Sequence, residues 1–570
     1  MEDQLQYRVF IASLVSAGVF AASLGFARGQ SNPPAPVATN LPAPTSAPVA
    51  PPIPLGTPQP NGTFVPTGTP APIASPLPPS TPPTAATPVP MTANPQTGAV
   101  AVGGSAQIHL YGIFGSAAVT VLNPLLVDAS IDQGTRTLLL MGKAAGLTGV
   151  HIVDARGQTL DLPVRVAYTA GTIASDAVIH ITGDPASPDF LRRQAAKAAA
   201  KLARARPGAT IIAPPDFAVS SALQQDNILD LTVPVLIQGR DMFSVEGNTR
   251  VRVYNDATPR ISPDTLLVSD FPERLTENGE LFTRDLERGV PSRFLYFHYN
   301  PANQPARRIV LRAQNASSEP AVVQFISGSA ADANEMAAGH DATERFLVRL
   351  MQNEGSLITI PANSALNLVE QDLPPSYIVS NLLQLRLLGG ASVHLTLFAQ
   401  NSADDPSAPL GADTLLTSTV RHARGKYNIP NFKYETLWNT TDAYLELPIG
   451  QIPVPNQLQG EALSGDYGVM QSFVVKIQNP GGSPQAIAIY ENPRGGRATG
   501  TYLIDGVLVR SHGVPAFSRY KIRQYTVPAR GYIRVTIHTI PESGSSYPLR
   551  LIFAPDDGSV APGGPGSPIY

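Results

Sequence analysis

The sequence predicts a mainly β chain of several domains: tandem β-sandwiches, one small α/β domain and a disordered Pro-rich linker. Three observations predict it. Short alternating apolar runs, separated by Gly, Pro, Asn and Asp turns, fill the chain from about residue 97 onward. One clear helical pattern stands among them, near residues 188–206. And one stretch occurs twice: IVLRAQNASSEPAVVQF at 309–325 and FVVKIQNPGGSPQAIAI at 473–489. Each copy is an alternating run, then Gln-Asn (Gln314-Asn315; Gln478-Asn479), a turn, a Pro (Pro320; Pro484) and a second run. The match continues with ITIPANSALNLV at 358–369 against YTVPARGYIRVT at 525–536, and with SVHLTLFA at 392–399 against SYPLRLIFA at 546–554. These read as two copies of one β-sandwich domain, over 260–401 and 412–555.

Composition narrows the function classes. The 570 residues allow several domains with cores of their own. Charged residues are 15% and the formal net charge is −3, so no global field points to nucleic acid. There is no cysteine, which excludes disulfides, thiolate catalysis and Cys-type metal sites.

Residues 9–26 (VFIASLVSAGVFAASLGF) are an uncharged, mostly apolar run, read as a signal peptide within 1–30 or as a membrane anchor. Ala27-Arg28-Gly29 suits cleavage before Gln30, while Glu2 and Asp3 against a single Arg8 do not give the usual positive start. The chain is therefore expected to be exported, to the periplasm, the cell surface or the medium, with anchoring by 9–26 left open. Residues 31–96 have no charge and are rich in Pro, Ala and Thr, so they are expected to be a disordered linker. As polyproline II the linker reaches at most about 200 Å.

The first folded unit is expected at 97–168. It carries Gly104 before a strand, Val121-Leu122-Asn123-Pro124 leading to Val127-Asp128, the Leu140-Met141-Gly142-Lys143-Ala144-Ala145-Gly146 turn, and Val153-Asp154-Ala155-Arg156-Gly157 before a last strand. On these residues it resembles the N-terminal β-domain of secretin-associated pilus-formation proteins, and more loosely bacterial Ig-like domains. The resemblance implies a periplasmic or surface assembly module without catalytic residues. The chain departs from that family in having no evident secretin channel region downstream, so it implies no role as the pore.

A small α/β domain is expected at 169–258. Its helix opens with Ser187 as N-cap and Pro188 at the first position, and runs to about Arg206, before Pro207-Gly208. The basic residues Arg193, Lys197, Lys201 and Arg204 are read as a solvated face. In the first repeat, 328–353 interrupts the β pattern with an expected short helix; the second has the unrelated 490–513 at the matching place. Since variation gathers in these two inserts, contacts with partners are expected there. Residues 556–570 read as a disordered tail. The repeat regions resemble tandem β-regions of uncharacterised exported bacterial proteins, which implies no activity.

No catalytic, cofactor-binding or metal-binding residue is assigned. Walker-A, HExxH, GxGxxG and Gly-x-Ser-x-Gly patterns are absent. Among nine histidines, His109, His151, His180, His394 and His538 sit in strand runs, and His298 has aromatic neighbours. His340-Asp341 with Glu335 and Glu344 is the best polar cluster, and would serve a hydrolase only if it converged in a cleft. Asp128 and Asp132 before Gly134 hint at a cation loop but lack the twelve-position pattern. A polysaccharide-binding face would need Tyr490, Tyr502, Tyr520, Tyr525, Tyr532 and Tyr547 on a surface, with a single tryptophan, Trp438, in the chain. The expectation is an envelope-associated, non-catalytic structural or interaction protein linked to pilus or secretion-system assembly. Its expected partners are envelope or surface proteins, with polysaccharide as the second class, no nucleic acid, and membrane only through an uncleaved N-terminus. A polysaccharide-binding module and a hydrolase with an unrecognised site are the alternatives.

Overall fold

The computed structural model describes residues 89–408, 414–458 and 460–558. The 9–26 segment, nearly all of the Pro-rich linker and the tail beyond 558 lie outside the described residues. What is described is mostly strand, with two α-helices.

The first unit is a sandwich of two four-stranded sheets. One sheet runs Thr92–Asn94, Ser105–Tyr111, Thr137–Gly142, Val127–Asp132; the other runs Gly98–Ala101, Thr159–Ala167, Gly146–Asp154, Ala117–Val121. Period-2 alternation sends Ile108, Leu138, Leu140, Val150, Ile152 and Val164 inward, each nearly free of solvent contact. Met91 and Ala93 are buried in this same core. The fold thus begins before residue 97, and the linker ends sooner than its composition suggests. Proline content masks the start because Asn94-Pro95 closes the first short edge strand, where a missing N–H costs no ladder bond.

Helix α1, Pro188–Leu202, is capped by Ser187, whose side chain accepts the Phe190 N–H at 3.3 Å. It ends four residues before the expected Arg206, because Arg204–Ala205 leaves to pair with Gly171–Thr172. Phe190, Leu191, Ala195 and Ala199 bury against Val233, Ile237, Val251 and Val253 of the sheet beneath. That sheet does not stop at residue 258. Asp176–Thr182 pairs on one side with Val245–Asn255 and on the other with Gly355–Ile360, so one ten-stranded sheet runs from the helix-bearing region through the first repeat. Its far edge is Arg424–Tyr427, from within the 412–555 span expected as the second repeat.

Within the repeats the Gln-Asn turn is built the same way twice. Asn315 donates from Nδ2 to Glu319 O (2.8 Å) and Ile360 O (3.2 Å), and its Oδ1 accepts the Ser317 N–H. Asn479 donates to Ser483 O (2.8 Å) and Val527 O (3.2 Å), and accepts the Gly481 N–H. Both asparagines are buried, which explains why that residue type stands there: its amide closes the turn from inside. The last matched stretch diverges. Ser392–Asn401 lies beside Arg307–Asn315, whereas Leu549–Pro555 lies beside Gln485–Pro493. The place of Leu549–Pro555 is taken in the first repeat by Ile378–Gly389. An alternating pattern fits either sheet of a sandwich, so sequence similarity alone does not fix the partner strand.

The two inserts also differ in kind. In the first repeat the chain forms helix α2, Glu335–Met351, with Asn334 capping the Ala337 N–H. In the second it forms the hairpin Ala498–Ile504 and Val507–Val514.

Candidate functional site

The inserts are not free contact loops. They meet each other. An apolar layer of Leu266, Val268, Leu295, Phe346, Tyr427 and Ile540 joins residues from both repeats. Arg293, almost fully buried, donates from one guanidinium nitrogen to Pro430 O (2.7 Å) and Gly468 O (3.0 Å), tying the first repeat to the start of the second. The backbones of α2 and the 541–545 loop touch: a Cβ on Gly339 would fall 1.7 Å from Ser543 O.

His340 sits in this junction, 3% exposed. Arg510 Nε donates to His340 Nε2 at 2.9 Å. A guanidinium only donates, so Nε2 is the acceptor and Nδ1 carries the proton, directed at Glu542 Oε2, 2.9 Å away. Burial pushes the Glu542 carboxyl up, but His340 and the hydroxyls of Thr499 and Thr501 outweigh it and hold it below the usual range. Arg510 also pairs with Asp341 (3.1 Å) and Glu344 (2.7 Å). Of the sequence cluster, then, His340, Asp341 and Glu344 converge, but on Arg510 and Glu542 across the junction. Glu335 faces a separate cavity. Both ring nitrogens of His340 are engaged and the ring is sealed, so it offers no base to a substrate. The His340 cluster thus does not form the cleft that the hydrolase alternative expected of it.

The other sequence candidates disperse. His298 is buried, bonded to Ser269 and Pro272 O, and burial pushes it down to about 4. Asp132 accepts the Gly134 N–H as a turn, and Asp128 pairs with Lys143. Tyr490 and Tyr502 are core residues, and Tyr520, Tyr525 and Tyr547 pack partly buried against the core. Of the six tyrosines Tyr532 alone is exposed, and Trp438 is buried. These six tyrosines therefore do not form an exposed face for a sugar.

The sequence reading missed a second cluster. Beside the junction a cavity of about 590 Å³ is lined by Asp270, Glu273, Glu335, Glu461, Arg421 and His422, among others. Asp270 directly follows the Thr265–Ser269 strand, and its N–H bonds Ala423 O at 2.9 Å. Arg424 donates to Phe271 O at 3.0 Å and lies over the Phe271 ring. These bonds hold the Asp270 loop against the His422 segment. His422 Nδ1 stands 3.2 Å from Glu273 Oε2 and 3.6 Å from Asp270 Oδ2. Burial pushes the Asp270 carboxyl up to about 7, with Glu273 adding repulsion; the neighbouring Asp270 carboxylate raises His422. His422 comes from more than a hundred residues downstream of its two partners, so no local spacing could have signalled the set.

The first unit carries its distinguishing feature on its surface. Leu122, Leu125 and Leu147 are 71%, 78% and 79% exposed at one end of the sandwich, where Lys143 Nζ donates to Pro124 O and ties the two turns together. Residues 93–167 match the family model described as pilus formation protein N terminal region. The match covers this sandwich, and its description points to pilus or secretion machinery and to an envelope location. No curated protein matches the chain. Among solved structures, domains 5–6 of the S-layer protein SbsC are 12% identical over 30% of this chain and 97% of that one, with a TM-score of 0.13. A Bacteroides ovatus mixed-linkage glucan utilization protein, SGBP-B, is 11% identical over 51% and 71%, also at 0.13. Lac15 from a marine microbial metagenome is 10% identical over 81% and 89%, at 0.10. Among the described residues, no helix is long and apolar enough to cross a membrane.

Proposed function

We propose that this chain is an exported, non-catalytic interaction protein of the cell envelope, docked to a pilus or secretion-system assembly through its pilus-formation domain. The observation that carries the reading is the family match at 93–167. The three exposed leucines support it, since large apolar side chains grouped at one end of a small sandwich suit burial against a protein partner. The sealed junction supports the non-catalytic part, because the acid–base cluster that the sequence singled out is engaged in holding the two repeats together. In this reading the repeats form a stiff body and the first sandwich makes the specific contact.

The test is a chain lacking 93–167, compared with a chain carrying Leu122→Asp and Leu147→Asp. Loss of co-purification with the envelope assembly is expected in both. Unchanged co-purification of the deletion chain would end the docking reading. Loss in the deletion chain alone would keep the domain and discard the leucine surface.

A further inference from the structure

We infer that Asp270, Glu273 and His422 form a binding site for one divalent transition-metal cation of the zinc class, which fastens the second repeat's leading segment to the first repeat. The ligand atoms of all three lie within 4.8 Å of one another, close enough for a single ion to reach each at about 2.0–2.2 Å after small side-chain adjustments. Imidazole with two carboxylates is a donor set that favours zinc or manganese over calcium, which takes oxygen ligands.

Two further observations favour a cation at these residues. Asp270 Oδ1 is shut off from solvent and has no hydrogen-bond partner, a costly state for a carboxylate oxygen unless something else neutralises it. And the cavity is acidic: Asp270, Glu273, Glu335 and Glu461 line it against one arginine, Arg421, which is already paired with Glu461 at 3.5 Å. The scaffold is also held in advance, by the Asp270 N–H bond to Ala423 O and by Arg424 clamped on Phe271. Three protein ligands leave further positions for water in a cavity of this size. The role that follows is a fastening one, because Asp270 and Glu273 belong to the first repeat and His422 to the strand-bearing segment that crosses over to it.

Full-length protein stripped with a chelator would be titrated with zinc chloride, and separately with calcium chloride, by calorimetry, with melting followed alongside. One zinc per chain is expected at the tightest site, together with a rise in melting temperature. His422→Ala and the isosteric Asp270→Asn should each weaken that site by at least about tenfold and remove the thermal rise. His394→Ala, which breaks a surface pair with Asp285, should leave both unchanged. Equal zinc affinity in the parent and both site variants would overturn the proposal. So would calcium binding as tightly as zinc, or no zinc binding by the parent at micromolar concentration.

Discussion

The two repeats part company where helix α2 and the Ala498–Val514 hairpin take the same place in the order of strands. Their shared strands keep the same buried asparagine turn, down to matching bond lengths. Their inserts share nothing, yet α2 packs on the hairpin through Arg510 and His340, and on the neighbouring 541–545 loop through Gly339 against Ser543 and His340 against Glu542. Divergence between the copies therefore went into making them fit, one as a helix and one as a ribbon, with one face of each insert buried at the junction. A variable segment in a tandem repeat is a candidate for the interface between the copies before it is a candidate for a ligand.

The largest test of that view is Gly339→Ala. In an isolated helix this change stabilises by about 1 kcal/mol. Here the new Cβ would lie 1.7 Å from a backbone oxygen, and backbone cannot swing aside as a side-chain tip can. The helix must lift off the 541–545 loop, at a cost of about 3 kcal/mol or more. Calorimetry should show the melting transition of the repeats moving down and splitting in two. A variant that melts at or above the parent temperature would show that the junction is not held by this contact.

A smaller effect is expected from Arg510→Ala. Arg510 satisfies His340 Nε2, Asp341 and Glu344 at once, and is about a quarter exposed. Its loss should cost about 2 kcal/mol, mainly by stranding partly buried acceptors. Combined with Glu344→Gln in a double-mutant cycle, a coupling of about 1 kcal/mol is expected from denaturant melts. Strict additivity would mean that the ion pair contributes only as surface charge.

These residues also mark where the sequence stops being legible. The β class, the Ser187 cap of α1 and the paired Gln-Asn turns follow from local chemistry: a period of two, an N-cap side chain, an amide that closes its own turn. His340, Asp341 and Glu344 stand out as a group because helical spacing of three and four puts them on neighbouring positions of one face. Their partners do not, since Arg510 and Glu542 are joined to them only by the docking of two domains. The same holds for His422 with Asp270 and Glu273, and for the ten-stranded sheet that runs past residue 258. Edge pairing between distant segments depends on three-dimensional placement, and alternating patterns leave it open.

The comparison sharpens once more, and most finely, at Glu491. Aligned with the first repeat it matches Ser327, whose hydroxyl bonds Asn381 at 3.0 Å. The second repeat puts a fully buried carboxyl there instead, and burial pushes it up to about 8. The folded chain then holds a proton that the unfolded chain releases above about pH 4.5. Stability contributed by that proton is complete below pH 4.5, falls by up to about 1.4 kcal/mol per pH unit as pH rises, and is gone above about 8. Asp466, pushed up to about 7 by burial, acts with the same sign over a narrower window. Glu491→Gln keeps the shape and the donor of the protonated acid and removes the titration. Denaturant melts should find the variant close to the parent at pH 5 and more stable by about 1 kcal/mol or more at pH 8. Parallel pH profiles for the two proteins would mean that Glu491 is ionised in the folded state and neutralised by its neighbours, and the second repeat would then carry a buried charge where the first carries a hydroxyl.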